Sequence, residues 1–218
     1  MAVLKIGVLA LQGDFALHVK ALQRCTEDGG PAVDVVEVRK PEELEGLDGL
    51  VIPGGESTTL LNLMEEWRFV PALEKFHAAG RPIFGTCAGL ILVAREVENP
   101  RQFSLGFIDV GVERNAYGRQ RESFSAQGDV ELDGHRRPLE MIFIRAPRIQ
   151  RVGPGVQTLA RHRGDVVMAQ QGSVLVASFH PELTADPAVH RYFCRMVAEV
   201  GARSSEGPSQ EVSPTRSH

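Results

Sequence analysis

Near the middle of the chain, Pro82-Ile83-Phe84 runs directly into Gly85-Thr86-Cys87-Ala88-Gly89, and Leu90, Ile91, Leu92, Val93 and Ala94 follow at once. A β-type apolar segment, a glycine-flanked turn and a helix-like run in so short a span leave few ways to fold. The pattern is that of a nucleophile elbow with cysteine at its tip. Such a sharp turn strains the central residue, and small neighbours let it form without side-chain collisions. A sulfur placed at a helix N-terminus meets backbone N–H groups and the positive end of the helix dipole, which favour the thiolate and suit a developing oxyanion. A buried core cysteine in a Gly-rich turn shares the same local pattern.

A partner for the sulfur stands far downstream. The apolar segment Val174-Leu175-Val176-Ala177-Ser178-Phe179 leads into His180-Pro181-Glu182. Side chains at i and i+2 of an extended segment point the same way, and Pro181 keeps His180 out of the helical region. The spacing therefore predicts an imidazole with a carboxylate beside it, which fixes the tautomer and stabilises the imidazolium. A surface His-Pro-Glu turn reads identically in isolation. Cys87 and His180-x-Glu182, each at the C-terminal end of an expected strand, together point to a catalytic triad, because open α/β sheets bind ligands there.

The rest of the chain supports that class of fold. Residues 3–9 form a near-continuous apolar run, as in a strand buried on both faces. Leu11-Gln12-Gly13-Asp14 then opens a helix with Phe15, His18, Leu22 and Cys25 on one stripe. Strands are expected at Val33–Val38 and at Gly49-Leu50-Val51-Ile52, the latter stopped by Pro53-Gly54-Gly55-Glu56-Ser57. A helix through Leu60, Leu61, Met64 and Trp67 follows, and Pro71 is expected to open another. Alternation of this kind implies βαβ units and a mainly parallel sheet. Beyond Ala94, short β-like segments at residues 106–112, 123–130, 139–144, 165–169 and 174–179 predict added antiparallel or mixed strands. A last helix is expected over 187–200. The expectation is a single-domain three-layer α/β/α sandwich over residues 1–200, with a disordered tail over 201–218, where Ser, Pro, Glu and Arg dominate.

Composition limits the function. The 218 residues carry a net charge of −4, so no polybasic field draws nucleic acid or an anionic membrane. No apolar run reaches transmembrane length and the N-terminus lacks a signal-peptide pattern. The three cysteines, Cys25, Cys87 and Cys194, have neither disulfide-framework nor metal-ligand spacing. A reduced, cytoplasmic protein without metal or cofactor is the expectation. The Pro53-to-Ser57 loop suits backbone amides that face a ligand, yet it lacks the Gly-Lys-Ser/Thr ending of a phosphate loop. Arg114 and Arg145 each follow a β-like segment, and arginine grips carboxylates through two parallel hydrogen bonds. Most arginines are solvated surface.

These residues also match a family. Phe84-Gly85-Thr86-Cys87-Ala88-Gly89-Leu90 with His180-Pro181-Glu182 resembles the class I, triad-type glutamine amidotransferases, whose sheet is flavodoxin-like. Gly7-Val8-Leu9-Ala10-Leu11-Gln12-Gly13, Pro53-Gly54-Gly55-Glu56-Ser57-Thr58-Thr59, the segment from Val112 through Glu113-Arg114-Asn115 to Gln120, and Phe143-Ile144-Arg145-Ala146-Pro147 narrow the likeness to the glutaminase subunits of pyridoxal 5′-phosphate synthases. The resemblance implies Cys87 as nucleophile, His180 as acid/base and Glu182 as its orienting partner. It implies glutamine contacts from Gly54, Gly55, Glu56, Ser57, Ala88, Arg114, Ile144 and Arg145, with Gln12 and Gly13 as an oxyanion-loop and partner contact. L-glutamine and a synthase subunit in a hetero-oligomeric complex are the implied partners. The segment from Gln127 to Leu139 looks longer or more polar than the family pattern, and the tail after Gly201 looks extra to it. A glutaminase feeding another acceptor, such as imidazole glycerol phosphate synthase, usually carries Cys-Leu-Gly where this chain has Cys87-Ala88-Gly89. A non-enzymatic binding or stress protein on a related fold can keep an elbow cysteine without His-x-Glu.

Overall fold

The protein is described by a computed structural model that covers residues 3–27, 30–114 and 123–205. Five strands form its parallel centre, in the spatial order β2 (Val33–Val38), β1 (Leu4–Leu9), β3 (Gly49–Ile52), β4 (Ile83–Thr86) and then a strand from late in the chain, Val174–Ala177. Every residue of β3, β4 and the Val174–Ala177 strand is buried, which is why these segments read as unbroken apolar runs.

Helices cover both faces. On one side α2 (Ser57–Glu66), α3 (Phe69–Ala78) and α4 (Ala88–Val93) bury Leu60, Met64, Phe69, Leu73 and Leu90. On the other, α1 (Phe15–Glu27) and α5 (Ala188–Ser205) bury Leu22, Val189, Phe193 and Val197. This is the expected three-layer sandwich, and its strand order is the flavodoxin-like 2-1-3-4-5.

The second half of the chain extends the sheet. β5 (Ala94–Glu98) pairs parallel with β6 (Ile108–Glu113). β7 (Ser123–Leu132) and β8 (His135–Ile144) make a long antiparallel hairpin whose tip is Asp133-Gly134, both with positive φ. The polar stretch from Gln127 to Leu139 is this hairpin end. β9 (Arg148–Val152), β10 (Gln157–His162), β11 (Asp165–Gln171) and β12, the Val174–Ala177 strand, complete the antiparallel part.

Several boundaries differ from the sequence expectation, many strand ends by one to four residues, and three helix boundaries are informative. α3 begins at Phe69, so Pro71 is its third residue, still within the first turn where a missing N–H costs nothing. α4 ends at Val93 and Ala94 already belongs to β5. α5 runs five residues past Val200, so the segment expected to be disordered from Gly201 starts as helix. Residues 206–218 and residues 115–120 of the Glu-Arg-Asn motif segment lie outside the described residues. Among the described residues no helix is long and apolar enough to cross a membrane.

Candidate active site

Four loops meet at the carboxyl ends of adjacent parallel strands, one each after β1, β3, β4 and β12. The register fixes two of the chemical groups side by side. Thr86, the last residue of β4, pairs with Ala177, the last of β12, and the Cys87 N–H donates to the Ala177 carbonyl at 2.9 Å. The chain after β12 then turns under the hairpin, where the His180 N–H donates to the Ile142 carbonyl of β8 at 2.8 Å.

Cys87 has φ 48° and ψ −100° and stands at the start of α4. For a side chain other than glycine this left-handed backbone stores about 1–3 kcal/mol, and close packing holds it. A Cβ on Gly89 would lie 2.1 Å from the Ile52 carbonyl oxygen, so only glycine lets α4 reach β3 here. The sulfur is almost fully buried and lies 3.9 Å from the Ile144 carbonyl.

His180 and Glu182 are each about 3% exposed. The His180 Nδ1–H donates to Glu182 Oε1 at 2.7 Å. The other ring nitrogen, Nε2, is buried and has no hydrogen-bond partner among the described residues, while the Cys87 side chain interacts directly with the ring. Burial works to lower the His180 pKa, but Cys87 and Glu182 outweigh it and push the value up to about 10. The imidazole is therefore charged at neutral pH. Gly54 sits across the pair, where a Cβ would be 2.5 Å from His180 Cε1 and 3.3 Å from Cys87 Cβ.

The neighbouring loops close in. A Cβ on Gly13 would fall 1.9 Å from the Gly54 carbonyl oxygen, and one on Gly55 would strike the Gln12 amide at 2.5 Å. The Glu56 N–H donates to Gln12 Oε1 at 3.3 Å. Gln12 and Gly13 are thus packed onto Gly54 and Gly55, beside Cys87.

The remaining expected residues are placed less uniformly. Glu56 is the N-cap of α2, accepting from the Thr58 and Thr59 N–H groups at 3.0 and 2.6 Å. Burial raises its pKa, but these donors and the Thr59 hydroxyl win and hold it at about 2. Arg114 donates to Thr58 Oγ1 at 2.7 Å and lies 3.6 Å from Glu56 Oε1. Ser57 is buried and donates to Gln102 Oε1 at 3.3 Å. Ile144 and Arg145 are exposed at the end of β8, and Arg145, with φ 44°, turns the chain there.

Sequence reasoning missed a second layer behind Glu182. His18 of α1 is fully buried, with Nε2 3.1 Å from Thr86 Oγ1 and 3.3 Å from Glu182 Oε2, and Nδ1 2.9 Å from His190 Nε2 of α5. Its signal was available, since a titratable residue stood in an apolar helical stripe. Asp14, at the start of α1, brings a further carboxylate within 4.8 Å of the His180 and Glu182 donor atoms.

The chain has well-matched relatives. The profile of the SNO glutamine amidotransferase family matches residues 8–199. The pyridoxal 5′-phosphate synthase subunit PdxT of Koribacter versatilis is 52% identical, over 89% of this chain and 96% of that protein. The protein of the same name from Pelotomaculum thermopropionicum is 50% identical over 91% and 97%. A crystal structure of a glutamine amidotransferase superimposes with a TM-score of 0.78 at 48% identity, covering 88% of this chain and 98% of the other. PurLQS from Thermotoga maritima, at 13% identity and a TM-score of 0.60, shares the fold alone. An elbow cysteine beside a charged imidazole, on a sheet of this order, stands within a match that spans most of the chain: it belongs to the SNO glutamine amidotransferase family.

Proposed function

We propose that the chain is a glutaminase that hydrolyses L-glutamine to L-glutamate and ammonia, and that it hands the ammonia to a synthase subunit making pyridoxal 5′-phosphate. One observation carries the chemistry: a strained, buried cysteine next to an imidazole that Glu182 orients at 2.7 Å. The Cys87 sulfur attacks the side-chain amide carbon of glutamine, and the carbonyl electrons move to oxygen. Backbone N–H groups of Ala88 and of the Gly54–Gly55 loop receive that oxyanion. Proton delivery from His180 lets ammonia leave as the carbonyl re-forms, giving a γ-glutamyl thioester. Water, deprotonated by His180, then attacks the thioester and releases glutamate and the thiolate.

Gly55, Ser57 and the exposed pair Ile144 and Arg145 line the approach to the sulfur in this reading. Glu56 and Arg114, tied to each other and to Thr58, shape the rim. Ammonia is useful to a second active site only if it stays unprotonated, so the synthase docks over the cleft, with Gln12 and Gly13 in the contact and the oxyanion hole completed on docking. The relatives carrying the synthase-subunit name support this partner. Location in the cytoplasm, and a catalytic unit that ends with α5, belong to the same proposal. Glutamate release from L-glutamine, measured with and without the synthase, tests it. Activity that needs Cys87 and rises with the synthase supports the reading, and equal turnover by Cys87→Ala contradicts it.

A further inference from the structure

His18 and His190 form a buried pair directly behind Glu182, and nothing in the reaction just derived uses them. Both are fully buried. They come from α1 and α5, and Phe84 presents its ring edge-on to each at centroid distances of 6.2 and 5.9 Å. Burial, followed by the charges of neighbouring groups, holds both well below the usual histidine pKa, His190 at about 3. Each ring is therefore neutral at physiological pH and carries one proton.

Those two protons can be placed. His190 Nδ1 is buried without a hydrogen-bond partner among the described residues. A bare lone pair there costs less than a buried N–H with nothing to receive it. The His190 proton accordingly sits on Nε2 and is donated to His18 Nδ1, 2.9 Å away. His18 Nδ1 is then an acceptor, and its single proton is forced onto Nε2. That N–H bonds Thr86 Oγ1 at 3.1 Å, and Glu182 Oε2, which has no hydrogen-bond partner among the described residues, lies 3.3 Å from the same nitrogen. The opposite carboxylate oxygen, Oε1, receives the His180 proton. Glu182 is thus approached from both sides, by a charged imidazole in front and a neutral one behind.

We propose that His18, its tautomer set by His190, is a positioning residue that holds the rear oxygen of Glu182 and thereby steadies the His180 imidazolium. This rests on the glutaminase reading. A neutral donor suits the task, because a second positive charge behind Glu182 would compete with His180 for the carboxylate. The other titratable and charged groups that act on the pair are Glu182, Arg24 on α1 and His180 beyond β12, with Asp14, just before α1, near His180 and Glu182.

Full-length protein mixed with its synthase tests the idea in two stages. Wild type must hydrolyse glutamine and Cys87→Ala must not; failure here rejects the glutaminase reading itself. His18→Leu, which lacks any donor, is then compared with His18→Gln, whose amide nitrogen approximates Nε2. Loss of this close polar contact with a charged group predicts a kcat lower by about tenfold in His18→Leu, with KM changed by less than about twofold. It also predicts that the alkaline limb of the kcat profile moves down by about one pH unit, as His180 loses its steadied partner. His18→Gln recovers most of the rate and the wild-type limb. Equal losses in both variants with an unmoved limb, or a wild-type rate in His18→Leu, overturn the proposal. Should His18→Leu fail to fold, histidine ¹⁵N spectra of the wild-type protein decide: a neutral His18 protonated on Nε2 at pH 7 supports it, and a charged or Nδ1-protonated His18 overturns it.

Discussion

At Cys87 the backbone carries strain that glycine would not feel, while alanine would keep it. Both substitutions remove the sulfur and should end glutamine hydrolysis. They should nevertheless differ in stability, with Cys87→Gly the more stable by about 1 kcal/mol once the greater unfolded-state freedom of glycine is subtracted. Chemical denaturation of the two variants measures this, and equal stabilities would mean that φ 48° is relaxed. Gly54 has the complementary constraint. A methyl group 2.5 Å from His180 Cε1 must displace the ring, and a displacement of about 1 Å at a reacting group costs roughly a hundredfold in rate. Gly54→Ala should therefore lower kcat by about that factor with little change in melting temperature. Cys87, His180 and Glu182 were legible in the sequence because each stands at a strand end beside its own spacing signal. His18 was visible only as a titratable residue in an apolar stripe: its partners belong to distant segments that only the docking of α1 and α5 brings together.

Between elements, the buried histidine pair joins α1 to α5 and ties stability to pH. In the unfolded chain each histidine titrates near 6.5, whereas in the fold both lie lower, His190 at about 3. A depressed folded value means that the stabilising contribution is present above about pH 6.5 and is lost as pH falls below it. The slope is at most about 1.4 kcal/mol per pH unit for each histidine. Replacing His190 by Gln should flatten the stability profile on the acid side of pH 6.5, as read by denaturant titrations at several pH values. An unchanged slope would show that His190 does not contribute. The element pattern also explains what was readable. β3, β4 and β12 read as near-continuous apolar runs because the middle of the parallel sheet is covered on both faces, whereas β1 carries an exposed Lys5 and the edge strand β2 carries Asp34 and Glu37. β9 and β10 were missed because each is short and sets only one or two buried apolar residues, Ile149 in β9 and Leu159 and Ala160 in β10, among polar ones, and β5 because it follows α4 with no turn residue between them.

Over the whole molecule, one topological fact assembles the site. Strands β1, β3, β4 and β12 are neighbours, so loops spread from Gln12 to Glu182 in the sequence share one end of the sheet. This was legible as a class of fold from alternating strands and helices, while the size of the antiparallel extension was not, because short mixed strands give weak periodicity. If the catalytic unit closes with α5, a chain ending at Ser205 should keep full glutamine hydrolysis and full coupling to the synthase; loss of coupling alone would assign the last residues to the partner contact. The central claim is that Cys87 attacks the side chain of glutamine. Its most direct measurement is labelling of the synthase complex with a diazoketone analogue of glutamine, followed by peptide mass mapping. The account predicts one adduct, on Cys87, suppressed by excess L-glutamine and absent from His180→Ala under the same exposure. An adduct on Cys25 or Cys194, or none in the intact complex, would contradict it.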